Sequence, residues 1–550
     1  VEKIKIENLT YCYPGREEPA LKGINLILGE GEFVLLIGES GSGKSTLLKV
    51  LSGLIPDFYG GSYEGEVYID GLKLRRMRNR ERARKLGFLG QNPENQLFTA
   101  RVEKELVLAM ENLGFTRELM RKRVAETAGF FNLTPYLKSK VAWLSGGMKQ
   151  KLALASLTAL GPEVLLLDEP LSQLDPQSAE EILNLLVRLN QEYGITVVMA
   201  EQRLEKCLSL ADRVVWMEKG EIRGEGTPEE LGSFWGRDKL FLLPSLPRLF
   251  ALMGEKKLPL TVKEGRKHLA AYEVLQGGRQ EGEHGQRREA VLQVKGLWYA
   301  YPPGKEVLKN LNFTVYEHDI WIIMGENGAG KTTLLKVLSG LLPASRGKVL
   351  FRGEDLRDLP LKEKSRRIAY IPQNPDDYFF LPTVREEVIF NLEQTGKNKE
   401  EADSLLEQFG LASYHAFNPR DLSMGEKQRL LLACVAALEP EILLMDEPTR
   451  GLDYKGKERL GRWLKDWGAK GKAALIVSHD VEFAAEYGEK VMLLFDGEIA
   501  AQGSKYQVMD NSLFYSPDIN RLFASRGGGI LTCEEACAVL SRGRVQKQVQ

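Results

Sequence analysis

Three observations predict two α/β domains in tandem, each built on a mostly parallel sheet. The chain has 550 residues, more than one hydrophobic core usually organises. GSGKSTLLKVLSGL at 41–54 returns almost unchanged as GAGKTTLLKVLSGL at 328–341. Short apolar runs, EFVLLIG (32–38), EVLLLDE (163–169) and GITVVMA (194–200), alternate with helical stretches. Strands apolar along their whole length belong to a sheet covered on both faces.

The repeat extends well beyond fourteen residues. Lys44 and Lys331 lie 287 residues apart, and Glu169 and Glu447 lie 278 apart. Most of the drift falls around PDFYGGSYEG (56–65), which reads as a Gly-rich loop insertion in the first copy. RLFA at 248–251 recurs at 521–524, followed by LTVKE (260–264) and LTCEE (531–535). Each of those last two is a Thr-x-x-Glu capping box opening a short helix, so each half is expected to end in a small helical appendage. Polar, Gly-containing QGGRQEGEHGQRRE (276–289) marks a linker. The expected domains are 1–272 and 291–550, joined by 273–290.

An apolar share of 43% and a charged share of 27% suit folded cores and exclude disorder of the whole chain. With 75 basic and 76 acidic residues the net charge is -1, which gives no overall field for nucleic acid or an anionic membrane. The basic run RRMRNRERARK (75–85) reads as a solvated helix face. Five scattered cysteines form no disulfide framework and fit a reducing cytosol. Cys533 and Cys537, at i and i+4, read as an idle pair because no histidine lies near them and the first half has Val262 and Arg266 instead. No run of 18 apolar residues occurs, and VEKIKIENLT lacks the apolar core of a signal peptide. A role at a membrane is therefore expected through a partner.

The chemistry begins with G-x-x-x-x-G-K-[ST], at Gly38–Ser45 and Gly325–Thr332, each after an apolar run and before a helix. Gly38, Gly41 and Gly43, like Gly325, Gly328 and Gly330, let backbone N–H groups wrap phosphates at a helix N-terminus. Lys44 and Lys331 reach the β and γ phosphates, and Ser45 and Thr332 ligate Mg²⁺. Thr46 and Thr333, next in line, join the nucleotide-binding set. VLLLDEP and ILLMDEP then supply Asp168 and Asp446 for the metal shell, and Glu169 and Glu447 to orient or deprotonate the attacking water.

Just ahead of those acidic strands, LSGGMKQ (144–150) and LSMGEKQ (422–428) resemble the signature of ATP-binding cassette (ABC) ATPases. The resemblance implies a P-loop NTPase fold with an α-helical subdomain, and ATP and Mg²⁺ as ligands. It places Tyr13 and Tyr301 at the adenine, and Gln91 and Gln373 at the nucleotide and its metal. Ser145, Gly146 and Gly147, with Ser423 and Gly425, fall in the signatures, and Asp175 and Asp453 in the following loop. In that family two cassettes pair head to tail, so the chain is expected to form an intrachain pseudo-dimer.

The two sites are not expected to be equal. The family's histidine after the next strand matches His479 in LIVSHD, whereas VVMAEQRL places Gln202 there. The first histidine in the chain is His268, so no register shift supplies another. Gln202 still donates a hydrogen bond but carries no charge; losing a positioned donor outright costs roughly 3 kcal/mol, about 10² in rate. The second signature places Met424 between Ser423 and Gly425, where the first has Gly146. Head-to-tail pairing then gives a faster site on Lys331 and a slower one on Lys44, unless Gln202 and Met424 are neutral variants.

The segments GFLGQNPENQLFTARVEKEL (87–106) and AYIPQNPDDYFFLPTVREEV (369–388) resemble the glutamine loops of energy-coupling factor (ECF) importers of vitamins and metal ions. That likeness implies a membrane scaffold protein and a substrate-binding membrane subunit as partners, no nucleic acid, and a place at the cytoplasmic face of the cell membrane. Phe98, Tyr378 and Phe379 then read either as exposed anchors for the scaffold or as local core. Two alternatives stay open: a tandem-cassette ATPase acting on ribosomes, and the ATPase of a sugar-type ABC importer.

Overall fold

The computed structural model describes residues 1–540 apart from 173, 236, 274–288, 303 and 511. The expected linker therefore lies mostly outside the described residues. Contacts divide the chain into Val1–Thr261 and Val262–Gln550.

Each unit carries the same pair of sheets. In the first, a six-stranded sheet runs Glu221–Gly226, Arg213–Glu218, Phe33–Ile37, Thr196–Ala200, Val164–Asp168, Leu86–Leu89. All neighbours pair in parallel except the edge strand Glu221–Gly226. The counterpart runs Ile368–Ile371, Ile442–Asp446, Ala473–Val477, Ile320–Met324, Lys490–Phe495, Glu498–Ser504, again with one antiparallel edge. The apolar runs of the sequence occupy the centre: every residue of Phe33–Ile37, Val164–Asp168 and Thr196–Ala200 is buried. In the second unit helices cover one face of the six-stranded sheet, and the helix Lys331–Leu338 with the strands Ala290–Tyr301 and Lys305–Tyr316 covers the other, so both are shielded as a parallel sheet requires.

A smaller antiparallel sheet accompanies each: Leu21–Gly29, Glu2–Cys12, Ser62–Ile69, Leu72–Lys73 in the first unit, and Lys305–Tyr316, Ala290–Tyr301, Arg346–Phe351, Glu354–Asp355 in the second. Here the insertion reading needs correction. Residues 56–59 form turns, but 62–65 already belong to the strand Ser62–Ile69, in which 62–64 pair with Thr10–Cys12. The basic run becomes the helix Asn79–Lys85, none of whose residues is buried.

Helices Val102–Asn112, Arg117–Phe130 and Gly146–Thr158 form the helical subdomain of the first unit, matched by Val384–Thr395, Glu401–Gln408 and Met424–Leu438. Pro176–Tyr193 shows how locally such elements are specified. Asp175 caps it by accepting from the N–H groups of Gln177 and Ser178, and Gly194 ends it in the left-handed region. Ile182, Leu183, Leu186 and Leu189 lie on its buried face, each contributing about 1.5–3 kcal/mol of burial.

At the chain's end, Thr532 and Glu535 form a reciprocal cap: the Thr532 N–H donates to Glu535 Oε2 at 3.2 Å and the Glu535 N–H to Thr532 Oγ1 at 3.2 Å. Val262–Leu269, opened by the other Thr-x-x-Glu, is grouped with the second unit, where Arg266 donates to the Arg521 carbonyl at 2.7 Å. Cys533 is buried and Cys537 half-buried.

Candidate ATP sites

Parallel strands end on one edge in each unit, and the phosphate loops and the acidic pairs of the sequence reading lie there. Gly38 and Gly325 leave the strands Phe33–Ile37 and Ile320–Met324 with φ +147; a Cβ would sit 2.2 Å from the Met217 carbonyl oxygen and 2.1 Å from that of Leu494. Only glycine fits. The loops pass Gly41 and Gly328 and end at Gly43 and Gly330, all at positive φ, where the helices Lys44–Leu51 and Lys331–Leu338 begin. The Lys44 ammonium donates to the carbonyls of Gly38 (2.7 Å) and Glu39 (2.9 Å), and Lys331 to those of Gly325 and Glu326, both at 2.8 Å. A glycine loop wrapped at a helix N-terminus over a buried ammonium is built to hold phosphate.

Ser45 Oγ donates to Asp168 Oδ1 at 2.8 Å, and Thr332 makes the matching bond to Asp446. Hydroxyl and carboxylate oxygens converging beside a phosphate loop fit Mg²⁺, a hard cation that favours oxygen ligands. Burial raises the pKa of both aspartates, against these bonds and the nearby lysine charges.

Tyr13 and Tyr301 reach the same loops, with the Tyr13 hydroxyl 3.2 Å from Thr46 Oγ1 and the Tyr301 hydroxyl 3.4 Å from Thr333 Oγ1. Sequence reasoning missed a neighbour. In the turn after Leu51, Tyr59 meets Tyr13 edge-on, ring centres 6.4 Å apart, and the Lys49 ammonium lies 4.8 Å over its ring. Two adjacent aromatics, Phe58 and Tyr59, in an otherwise Gly-rich stretch were the available signal. Such edge contacts contribute about 0.5–1.5 kcal/mol. Tyr59→Ala is therefore expected to weaken nucleotide binding to the first cassette about 2- to 10-fold, read by titration with a fluorescent ATP analogue.

Glu169 and Glu447 close their strands in the left-handed region, φ 48 and φ 52, a strained setting for glutamate. Their N–H groups donate to the carbonyls of Ala200 and Val477, both at 2.9 Å, which joins each glutamate to the neighbouring strand that leads to Gln202 or His479. His479 Nε2 stands 3.3 Å from Glu447 Oε1. In the first site Glu169 is met from two sides: Gln91 Nε2 donates to Oε2 at 2.9 Å, and Gln202 Nε2 donates to Oε1. Burial raises the Glu169 pKa, the Asp168 charge adds to this, and Lys44 and the two amides oppose it. Gln373, like Gln91, is exposed.

The signatures open helices. Ser145 caps Gly146–Thr158 by accepting from the Met148 N–H at 3.4 Å, and Gly147 lets that helix approach Ser178, whose Oγ would lie 2.7 Å from a Cβ. Ser423 caps Met424–Leu438 differently. Its N–H and hydroxyl both donate to Glu426 Oε2, at 2.8 and 2.7 Å. Glu426, which stands where the first signature has Met148, was a second residue the sequence reading missed. Met424 is 44% exposed, and Gly425 has open space where a Cβ would stand. Asp453 caps Tyr454–Ala469 through the Gly456 N–H at 2.7 Å, as Asp175 caps its own helix.

The loops after the glutamines separate the aromatic residues. Phe98 is 77% exposed, but Phe379 is 3% exposed and belongs to the core, and half-buried Tyr378 donates its hydroxyl to Asn391 at 3.3 Å. Phe380, 62% exposed, is the true counterpart of Phe98. Each exposed ring is held by a buried carboxylate. Glu105 Oε2 accepts from the N–H groups of Phe98 (3.1 Å) and Thr99 (2.7 Å), and Glu387 Oε1 from those of Phe380 and Leu381, both at 2.6 Å.

Comparison with known proteins agrees with this geometry. The ABC transporter family model matches residues 21–172 and 308–450. A protein of Bacillus thuringiensis subsp. konkukian is 36% identical over 98% of both chains, and one of Clostridium tetani is 39% identical over 77% of this chain and 96% of its own. Both are described no further than as ABC transporter ATP-binding proteins. A solved structure of cbiO1 from Clostridium perfringens, part of the ABC transporter complex cbiONQ, is 27% identical, covers 44% of this chain and 96% of that one, and superposes with a TM-score of 0.39. The chain belongs to the ABC transporter ATP-binding proteins and is an ATP-hydrolysing member with two cassettes in one polypeptide.

Proposed function

We propose that this chain is the energy-coupling ATPase of an ECF-type membrane importer of a vitamin or a metal ion, working as a pseudo-dimer with two unequal ATP sites. The observation that carries the importer reading is the matched pair of Phe98 and Phe380. Each is a large apolar side chain in water, on the loop that follows the glutamine, where a buried glutamate of the next helix accepts from its backbone N–H. Two such anchors at equivalent places suit two apolar partner segments. Among the described residues no helix is long and apolar enough to cross a membrane, so the partners would be a scaffold protein and a substrate-binding subunit that do, with the ATPase at the cytoplasmic face.

In this reading ATP favours the closed pairing of the cassettes, in which each signature completes the other's phosphate loop, and hydrolysis with phosphate release reopens it. Lys44 and Lys331 bind the β and γ phosphates. Ser45 with Asp168, and Thr332 with Asp446, would hold Mg²⁺, which would supply positive charge to the phosphates. Glu447 takes the proton of the attacking water while His479 orients it, and Glu169 with Gln202 does the same more slowly.

Affinity capture of the chain from detergent-solubilised cells of its source, with mass spectrometry of what accompanies it, tests the proposal. Two small polytopic membrane proteins are expected. Recovery of ribosomal proteins and RNA instead would overturn the importer reading and leave the ATPase intact.

A further inference from the structure

Glu201 is a carboxylate 1% exposed, at the end of the strand Thr196–Ala200 and beside the catalytic edge. An isolated buried charge is costly, so its partners are informative. Oε1 accepts from the N–H groups of Gln202 (2.8 Å) and Arg203 (3.1 Å), and Oε2 from the N–H of Leu171 (3.2 Å). Leu171 lies in the turn that begins at the strained Glu169. One side chain thus ties the turn carrying the glutamate to the loop carrying Gln202.

The second cassette joins the same two loops by other atoms. Ser478 stands where Glu201 does and Thr449 where Leu171 does; their hydroxyl oxygens are 3.0 Å apart, and Ser478 Oγ also accepts from the Asp480 N–H at 3.1 Å. Leucine has no hydroxyl to offer. A side chain two atoms longer than serine, aimed at the leucine's backbone, restores the link.

We infer that Glu201 is a positioning residue of the first ATP site, holding Glu169 and Gln202 in register as the Thr449–Ser478 pair holds Glu447 and His479. Burial pushes the Glu201 pKa up to about 7, with the Glu169 charge adding and the N–H bonds of Arg203 and Gln202 and the Arg203 charge opposing. The groups facing it are Glu169, Arg203 and the buried thiol of Cys207. As pH rises through about 7 the carboxylate ionises, and its three N–H bonds become charge-assisted and stronger. First-site hydrolysis is therefore expected to rise through that range.

The inference rests on the reading of Glu169 as the first site's catalytic carboxylate. The test uses the full chain carrying Glu447→Gln, with hydrolysis of radiolabelled ATP followed under single-turnover conditions across mildly acidic to mildly alkaline pH. Glu201→Ala is expected to slow the step at least ~10-fold with nucleotide affinity unchanged, since small misplacement of a reacting group costs up to ~10² in rate. Glu201→Gln should keep most of the rate but lose the inflection near pH 7. Leu171→Thr with Glu201→Ser, which installs the second cassette's pair, should restore the rate and also lack the inflection. An unchanged rate in Glu201→Ala, or an inflection that survives Glu201→Gln, overturns the inference. So does a complete absence of hydrolysis in this background, which leaves Glu201 no reaction to position. Adding Glu169→Gln separates the two readings: if hydrolysis persists there, the assignment of Glu169 is wrong whatever Glu201 does. The double substitution keeps the test decisive should Glu201→Ala fail to fold.

Discussion

Glu447→Gln is expected to lower ATP turnover by ~10² or more, and Glu169→Gln, which removes only the slower site, by less than about twofold. The difference follows from what surrounds each carboxylate. Glu447 has His479 Nε2 at 3.3 Å, a ring able to take up charge as the attacking water loses its proton. Glu169 accepts amide N–H bonds on both oxygens, from Gln91 and Gln202, and these oppose the rise in proton affinity that burial gives it. A base so engaged has less to gain from a proton, and the neutral amide of Gln202 adds no charge. The signature expected to close over the Lys44 site has its serine hydroxyl turned to Glu426 and Met424 in place of a glycine. Phosphate release by the purified full chain at saturating ATP measures both variants. Equal losses would show that Gln202, Met424 and Glu426 are without consequence and that the two sites work alike.

If the proposed membrane partners bind this face, Phe98→Asp combined with Phe380→Asp is expected to release the chain from them while leaving the ATP turnover of the isolated protein within about twofold, the range of a surface change. A buried aromatic anchor contributes about 2 kcal/mol or more to an interface, roughly 30-fold in affinity for each side chain. The loops themselves should survive, because their fold depends on Glu105 and Glu387 accepting backbone N–H groups rather than on the rings. Phe379→Asp is the contrasting control. Placing a charge where Phe379 sits in the core should destabilise the second unit by several kcal/mol and lower its melting temperature. Undiminished recovery of the membrane proteins with the double variant would mean that this face does not bind them.

What the sequence made legible was decided by how strongly each element is written. Strands such as VLLLD are apolar at every residue because both faces are covered, and the phosphate loops carry glycines that no other residue can replace. The antiparallel sheets were not legible. Ser62–Ile69 alternates exposed, half-buried and buried positions and begins inside a Gly-rich stretch, so it reads as loop until its pairing with Glu2–Cys12 is seen. The aromatic run Tyr378, Phe379, Phe380 has one composition and three environments, set by the turn that Glu387 holds. Comparing it with Leu97 and Phe98, counted from each glutamine, gives the correct phase, since Gln91 and Gln373 align Phe98 with Phe380. Glu201 was the hardest to see. A glutamate at a strand end ordinarily faces water, and only the three N–H groups around it reveal otherwise.

The two ways of tying the catalytic loops also bear on how the halves have stayed distinct. Repeated stretches in one gene invite conversion, which overwrites one copy with the other. A tract carrying Ser478 but not Thr449 into the first half would set serine opposite Leu171 and strand that residue's N–H, at about 1–3 kcal/mol for an unsatisfied buried donor. The reverse tract would bury a glutamate against Thr449, where a hydroxyl pair now sits. Thr449 and Ser478 are 29 positions apart in the chain, so short tracts separate them and are disfavoured, while tracts long enough to move both are tolerated. The two coupled side chains are thus exchangeable between the halves only together.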